Sequence, residues 1–226
     1  METFIILSEK SWHKPLYESL KKKLSEYHWV LIDEKDRFAL DKLEELQPGK
    51  IFIPHWSYII PASIYEKFEC VVFHETDLPH GRGGSPIQNL IARGINNTKI
   101  SALKAGKGLD TGPIYLKKDL NLNGTTKEIF LRCSGIIEEM IEEIIQEDIK
   151  PVPQEGDIVE FKRRKPEDGD LNRLSETGKV YDFIRMLDCE GYPAAYIENE
   201  HFRFEFTRAS LKSEKEIIAD VRIIKK

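Results

Sequence analysis

The sequence predicts an α/β protein: a Rossmann-like, open and mostly parallel sheet with helices on both faces, followed by a small C-terminal subdomain. Three observations lead there. Short apolar, β-branched runs recur along the chain; amphipathic stretches separate them; and a proline-rich connector near residue 150 marks a change of composition.

The apolar runs are Phe4 to Leu7, Trp29 to Ile32, Ile51 to Ile53 and Cys70 to Phe73, each bounded by polar residues. Between the first two, Leu16, Leu20, Leu24 and Tyr27 recur at helical spacing on one stripe. Strand, helix and strand in alternation imply parallel strands covered on both faces. Pro86 to Arg93 reads as the next helix, with Ser85 as its cap and proline in the first turn. Further strands are expected over Lys99 to Leu103 and Ile114 to Leu120. A long helix is expected from about Thr126 to Gln146, buried along Ile129, Ile136, Ile137, Met140, Ile144 and Ile145.

The connector Lys150 to Asp157 then divides a domain of residues 1–150 from a subdomain of 151–226. The second part holds the basic run Lys162 to Lys165, a helix near Lys179 to Asp188, and a hairpin of Ala194 to Ile197 with His201 to Phe206.

A formal charge of -5 over 226 residues provides no global attraction for nucleic acid or anionic membrane. No stretch approaches the roughly 20 apolar residues of a membrane span, and the start carries no basic leader, so a cytoplasmic protein is expected. Three distant cysteines, Cys70, Cys133 and Cys189, suit reduced thiols and have no zinc spacing, so no metal is expected.

Chemistry concentrates in FHETDLPHGRGGSP, residues 73–86, directly after the fourth apolar run. In an open parallel sheet, ligands bind beyond the carboxyl ends of the strands, which is where this stretch puts His74. An imidazole there either moves a proton at neutral pH or simply caps the strand. The glycines 81, 83 and 84 either let a ligand approach the backbone or make a tight turn. A second polar loop, KAGKGLDTGP at 104–113, carries one acid, Asp110. Alone it reads as a turn residue; beside His74 it would orient the ring or a water.

His74, Leu78-Pro79, Arg82-Gly83, Pro86-Ile87-Gln88 and Leu109-Asp110-Thr111-Gly112 together resemble the formyltransferases that use 10-formyltetrahydrofolate. This family acts on methionyl-tRNA, on glycinamide ribonucleotide and on nucleotide-linked amino sugars. Trp56 to Pro61 looks like its folate-cleft segment. The resemblance implies His74 and Asp110 as catalytic residues. It also implies a pteridine held by Tyr58, Ile59 and Ile60 and by Lys104, Gly106, Lys107, Gly108 and Asp110. The family has an asparagine two positions before the histidine; here Val72 stands there.

For the acceptor, the short tail and its single basic run count against tRNA, and the pattern looks like the small sugar N-formyltransferases. The expected acceptor is the 4-amino group of a UDP-linked 4-amino-4,6-dideoxy sugar. Arg82, Gly83, Arg163, Arg164 and Tyr192 are the expected substrate contacts, with no nucleic-acid or membrane partner. Rival readings are a formyltetrahydrofolate hydrolase, a methionyl-tRNA formyltransferase-like activity, and a catalytically weak binding module. The oligomeric state stays open, because the hairpin pairs equally well within one chain or across two.

Overall fold

The computed structural model describes residues 1–226. The chain divides into two compact units, one formed by Met1–Arg82, Lys99–Leu120 and Leu131–Glu160, the other by Gly83–Thr98, Asn121–Phe130 and Phe161–Lys226.

The first unit is built on a six-stranded sheet. Its strands are β1 (Thr3–Ser8), β2 (His28–Ile32), β3 (Lys50–His55), β4 (Cys70–His74), β6 (Asn97–Lys104) and β7 (Ile114–Asn121), in the order β2-β1-β3-β4-β6-β7. β2, β1, β3 and β4 pair in parallel; β6 runs antiparallel to β4, with His74 opposite Ser101 and Val71 opposite Lys104. β1 is buried at five of its six residues, and the continuous apolar runs of β1 and β3 fit strands covered on both faces.

On one face, Ile5, Leu7, Ile51 and Ile53 pack with Leu43 of α2 (Leu40–Leu46) and Ile64 of α3 (Ala62–Tyr65). Among the alternate residues, Phe4, Trp29 and Phe52 pack together, with ring centroids 5.4 to 6.4 Å apart. α1 (Lys14–Lys23) buries Leu16 and Leu20, as its stripe predicts. Ser19 and Lys23 of α1 bond to Glu138 of α5 (Thr126–Gln146), so these two helices lie side by side. The buried side of α5 follows Ile129, Cys133, Ile137, Met140, Ile141 and Ile144, while Ile136 and Ile145 sit at its half-buried margin.

One expectation needs correction. Ser85 precedes α4 (Pro86–Ala92) in a left-handed conformation and makes no side-chain cap; its hydroxyl accepts instead from the Arg164 amide at 3.1 Å. Within the connector, Val152 pairs with Ile114 as an antiparallel bridge.

In the second unit, α6 (Thr177–Arg185) packs on a three-stranded sheet of β9 (Ala195–Glu198), β10 (Phe202–Ser213) and β11 (Glu216–Lys225). The expected hairpin of β9 and β10 is present, and β10 continues into a longer one with β11 that the expected elements omit. Arg185, at the end of α6, is buried. It donates to the carbonyls of Leu122 and Gly124, which ties α6 to that turn.

β5 (His80–Gly83) pairs with β8 (Val159–Phe161). Gly83 has φ +109°, and a β-carbon there would lie 2.3 Å from the Phe161 carbonyl oxygen. Gly83→Ala is expected to cost 2 kcal/mol or more, on the order of other strained-backbone substitutions, read as a lowered urea midpoint. Gly106→Ala, with no atom within 4 Å, is expected to change that midpoint little.

Candidate active site

His74 ends β4 and is 7% exposed. Its Nε2 donates to the Gly81 carbonyl at 2.8 Å. A carbonyl only accepts, so Nε2 carries the proton and Nδ1 is the ring's other face. Nδ1 lies 3.7 Å from Asp110 Oδ2, and both side chains are nine-tenths buried. That separation suits electrostatic pairing or one shared proton carrier rather than a short direct bond.

The turn that positions the ring is closed by its own backbone. The Thr76 amide donates to the His74 carbonyl at 2.9 Å, and the Leu78–Pro79 peptide is cis. Buried Ser101 on β6 donates to the Thr76 carbonyl at 2.7 Å and accepts from the Leu78 amide at 3.3 Å. One serine therefore satisfies two polar backbone groups of a buried turn, the kind that otherwise cost 1–3 kcal/mol each, in rough terms.

Asp110 adopts a left-handed φ of 53°, uncommon for a non-glycine residue. The side-chain amide of Gln154 donates to the carbonyls of Asp110 and Gly112 at 2.9 and 2.8 Å. Its oxygen accepts two bonds from Arg82, at 3.1 and 2.8 Å. Gln154 thus clamps the Asp110 loop and engages Arg82, a residue expected to face the acceptor. The sequence held no signal for this role, because Gln154 lies in what reads as a linker.

The other expected contacts fall into two sets. In the first unit, Tyr58 and Ile59 are 45% and 89% exposed, and Ile60 packs with Trp56 against the core cluster. Lys35 lies over the Tyr58 ring at 4.4 Å. Lys104 ends β6; Gly106 faces open space; Gly108 has φ +96°, and the Lys107 carbonyl accepts from Thr111 at 2.8 Å. In the second unit, Gly83 is taken up by its approach to Phe161. Arg163 is exposed. Arg164 donates to the Asp168 carbonyl at 2.7 Å and lies 5.2 Å from the Phe183 ring, and Tyr192 packs on Phe130. Val72 is wedged among Leu78, Leu103 and Ile114.

Two further groups escaped the sequence reading. Ser8 and His13 share a buried hydrogen bond of 2.7 Å, and burial, with His55 nearby, lowers the His13 pKa to about 3. Glu75, beside His74, is 6% exposed. Burial, opposed by His74 and helped slightly by the Asp110 charge, raises its carboxyl to about 7. In sequence it reads as one more polar turn residue. No group of three or more His, Cys, Asp or Glu side chains is placed to hold a metal, and no helix is long and apolar enough to cross a membrane.

The Glu75 shift has a definite sign. Between pH 4.5 and about 7 the folded state keeps a proton that the unfolded state has released, so stability falls as pH rises through that window. Glu75→Gln removes the dependence. Its stability relative to the parent is expected to climb from near zero below pH 4.5 to roughly 3 kcal/mol above pH 7, measured by urea denaturation across pH. A constant difference at every pH would contradict a buried neutral carboxyl.

Known proteins add to this geometry. A family model described as Formyl transferase matches residues 9–129, and one described as Methionyl-tRNA formyltransferase, C-terminal domain, matches 166–224. A solved structure called methionyl-tRNA formyltransferase from Clostridium thermocellum is 49% identical, with each chain fully covered and a TM-score of 0.97. A curated methionyl-tRNA formyltransferase of Thermodesulfovibrio yellowstonii is 29% identical over 170 residues, which is 72% of this chain and 54% of that protein. The chain thus spans about half the length of the curated relatives it matches. A sugar N-formyltransferase from Shewanella shares the fold, with a TM-score of 0.70, 88% of this chain and 94% of the other covered, at 13% identity.

These matches overturn the expected kinship with nucleotide-sugar enzymes of surface-polysaccharide pathways, and with it the expectation of no nucleic-acid partner. The argument from a short tail fails because a relative named for methionyl-tRNA has a chain that this one covers in full. The match over residues 9–129, more than half of the 226, places this chain in the formyltransferase family.

Proposed function

We propose that this protein transfers a formyl group from 10-formyltetrahydrofolate to the α-amino group of methionyl-tRNA, with residues 1–150 as the transfer domain and 151–226 on the acceptor side. The observation that carries the reading is the buried His74–Asp110 pair, within a formyltransferase domain whose tail matches the C-terminal domain of methionyl-tRNA formyltransferase.

The pair suits the chemistry. The acceptor nitrogen attacks the formyl carbon, the bond from that carbon to the folate nitrogen breaks, and one proton passes from the amine to the departing nitrogen. His74 Nε2 is held by Gly81, which leaves Nδ1 to take that proton and return it, while the Asp110 carboxylate stabilises the imidazolium between the two steps. Exposed Tyr58, Ile59 and Leu109 offer apolar surface of the kind a pteridine ring covers. Lys162, Arg163 and Lys165 are exposed cations suited to tRNA phosphates, a local patch on a chain that is acidic overall.

The test is formyl transfer from 10-formyltetrahydrofolate with methionyl initiator tRNA, uncharged tRNA, a UDP-linked 4-amino sugar or buffer alone. Formylmethionyl-tRNA as the product is expected. Transfer to the sugar, or release of formate at the same rate without any acceptor, would refute the reading. His74→Ala and Asp110→Asn are each expected to lower kcat/KM by about a hundredfold or more, in line with loss of a proton-transfer group. Val72→Asn is expected to leave the rate unchanged or lower it, because Val72 is already packed. Arg163→Ala is expected to weaken tRNA binding and to reduce the slope of log affinity against log salt by roughly 1.

A further inference from the structure

β11 closes one side of the three-stranded sheet β11-β10-β9, and no strand pairs with its outer edge. The opposite edge, β9, is four residues long and is met by the Asp170–Tyr196 bridge. β11 is ten residues long, contains no proline, and carries Ile217, Ile218, Val221, Ile223 and Ile224. Ile218, Val221 and Ile223 are 55%, 46% and 62% exposed. A long, apolar, uncovered edge is a template for another strand unless the sequence guards it.

The charges on this edge are arranged with one symmetry. Acids precede Val221, at Glu216 and Asp220; bases follow it, at Arg222, Lys225 and Lys226. We propose that two copies of this chain pair antiparallel through β11 about a twofold axis at Val221, joining two three-stranded sheets into one of six.

In that register Asp220 faces Arg222 of the second copy, Glu216 faces Lys226, Ile218 faces Ile224, and Ala219 faces Ile223. Each of these pairs occurs twice, as a twofold interface requires, while Val221 meets its own copy once on the axis. Opposite charges and β-branched pairs directly across a ladder are the combinations that stabilise it. Moving the axis by one residue puts Asp220 against Asp220 or Arg222 against Arg222, so like charges exclude the neighbouring registers. Asp220 already holds Arg208 in an exposed pair, and the exposed Arg222 lies 3.7 Å from the partly buried Glu205. A carboxylate accepts from two such partners and a guanidinium donates to two, so these pairs do not compete with the new ones. Ten residues a side form a small interface, so the dimer is expected at micromolar rather than nanomolar concentration.

Sedimentation velocity of the full chain over a concentration series reads this directly. The expected species shifts from 26.2 kDa toward twice that mass as concentration rises. Asp220→Arg and Arg222→Asp are each expected to abolish the shift, and the double exchange Asp220→Arg with Arg222→Asp to restore it. Should a single variant unfold, by circular dichroism, cysteine pairing decides. Val221→Cys is expected to give a covalent dimer on mild oxidation, since directly opposed residues meet the Cα spacing of a disulfide. Ile223→Cys and the parent chain are expected to give none. A monomer at all concentrations, a dimer that survives either single charge reversal, a double exchange without rescue, or equal crosslinking at 221 and 223 would each overturn the proposal.

Discussion

The hydrogen bond from His74 Nε2 to the Gly81 carbonyl is the constraint on which the site depends. It joins the end of β4 to a backbone group seven residues later, so the ring points where the turn allows and nowhere else. Everything around it preserves that turn. Ser101 satisfies the Thr76 carbonyl and the Leu78 amide, β5 ends at a glycine that lets the Phe161 carbonyl approach, and Val72 packs beneath. Burial strengthens each of these contacts, since an unsatisfied polar group inside the protein has no water to turn to.

Asp110 reaches the ring from a different part of the chain, and its loop is held by a residue that chemistry-based reading passes over. Gln154 spends both ends of its amide here, donating to the Asp110 and Gly112 carbonyls and accepting from Arg82. A side chain with two donors and an acceptor is suited to such a clamp, whereas a charged residue would leave one end unsatisfied. Glu75 adds a second buried carboxyl, one that burial keeps partly protonated near neutrality, which lessens the negative charge confined beside one ring.

Much of the fold was legible in the sequence because β1, β3 and β4 are continuous apolar runs and α1 and α5 carry helical stripes, signals set by burial itself. The antiparallel course of β6 was not, since strand direction leaves no mark on a short apolar run. β11 was missed because its pattern, with Ile at 217, 218, 223 and 224, does not alternate as a half-buried strand should. In the site, His74 and Asp110 stand out by residue type and position. Glu75 and Gln154 do not, because their roles come from burial and from a backbone partner more than forty residues away. The acceptor was misjudged from tail length and a few local matches, which fold alone cannot resolve: sugar and tRNA enzymes of this family share the architecture.

The central claim is that the neutral His74 ring is held through Nε2 and presents Nδ1 to Asp110. Nitrogen-15 NMR of the labelled imidazole in the whole protein tests it most directly. The account predicts a protonated Nε2 in the neutral ring, unchanged by Asp110→Asn, with Nδ1 alone shifting in that variant. A neutral ring protonated on Nδ1, or an Nε2 signal that follows the Asp110 substitution, would contradict it.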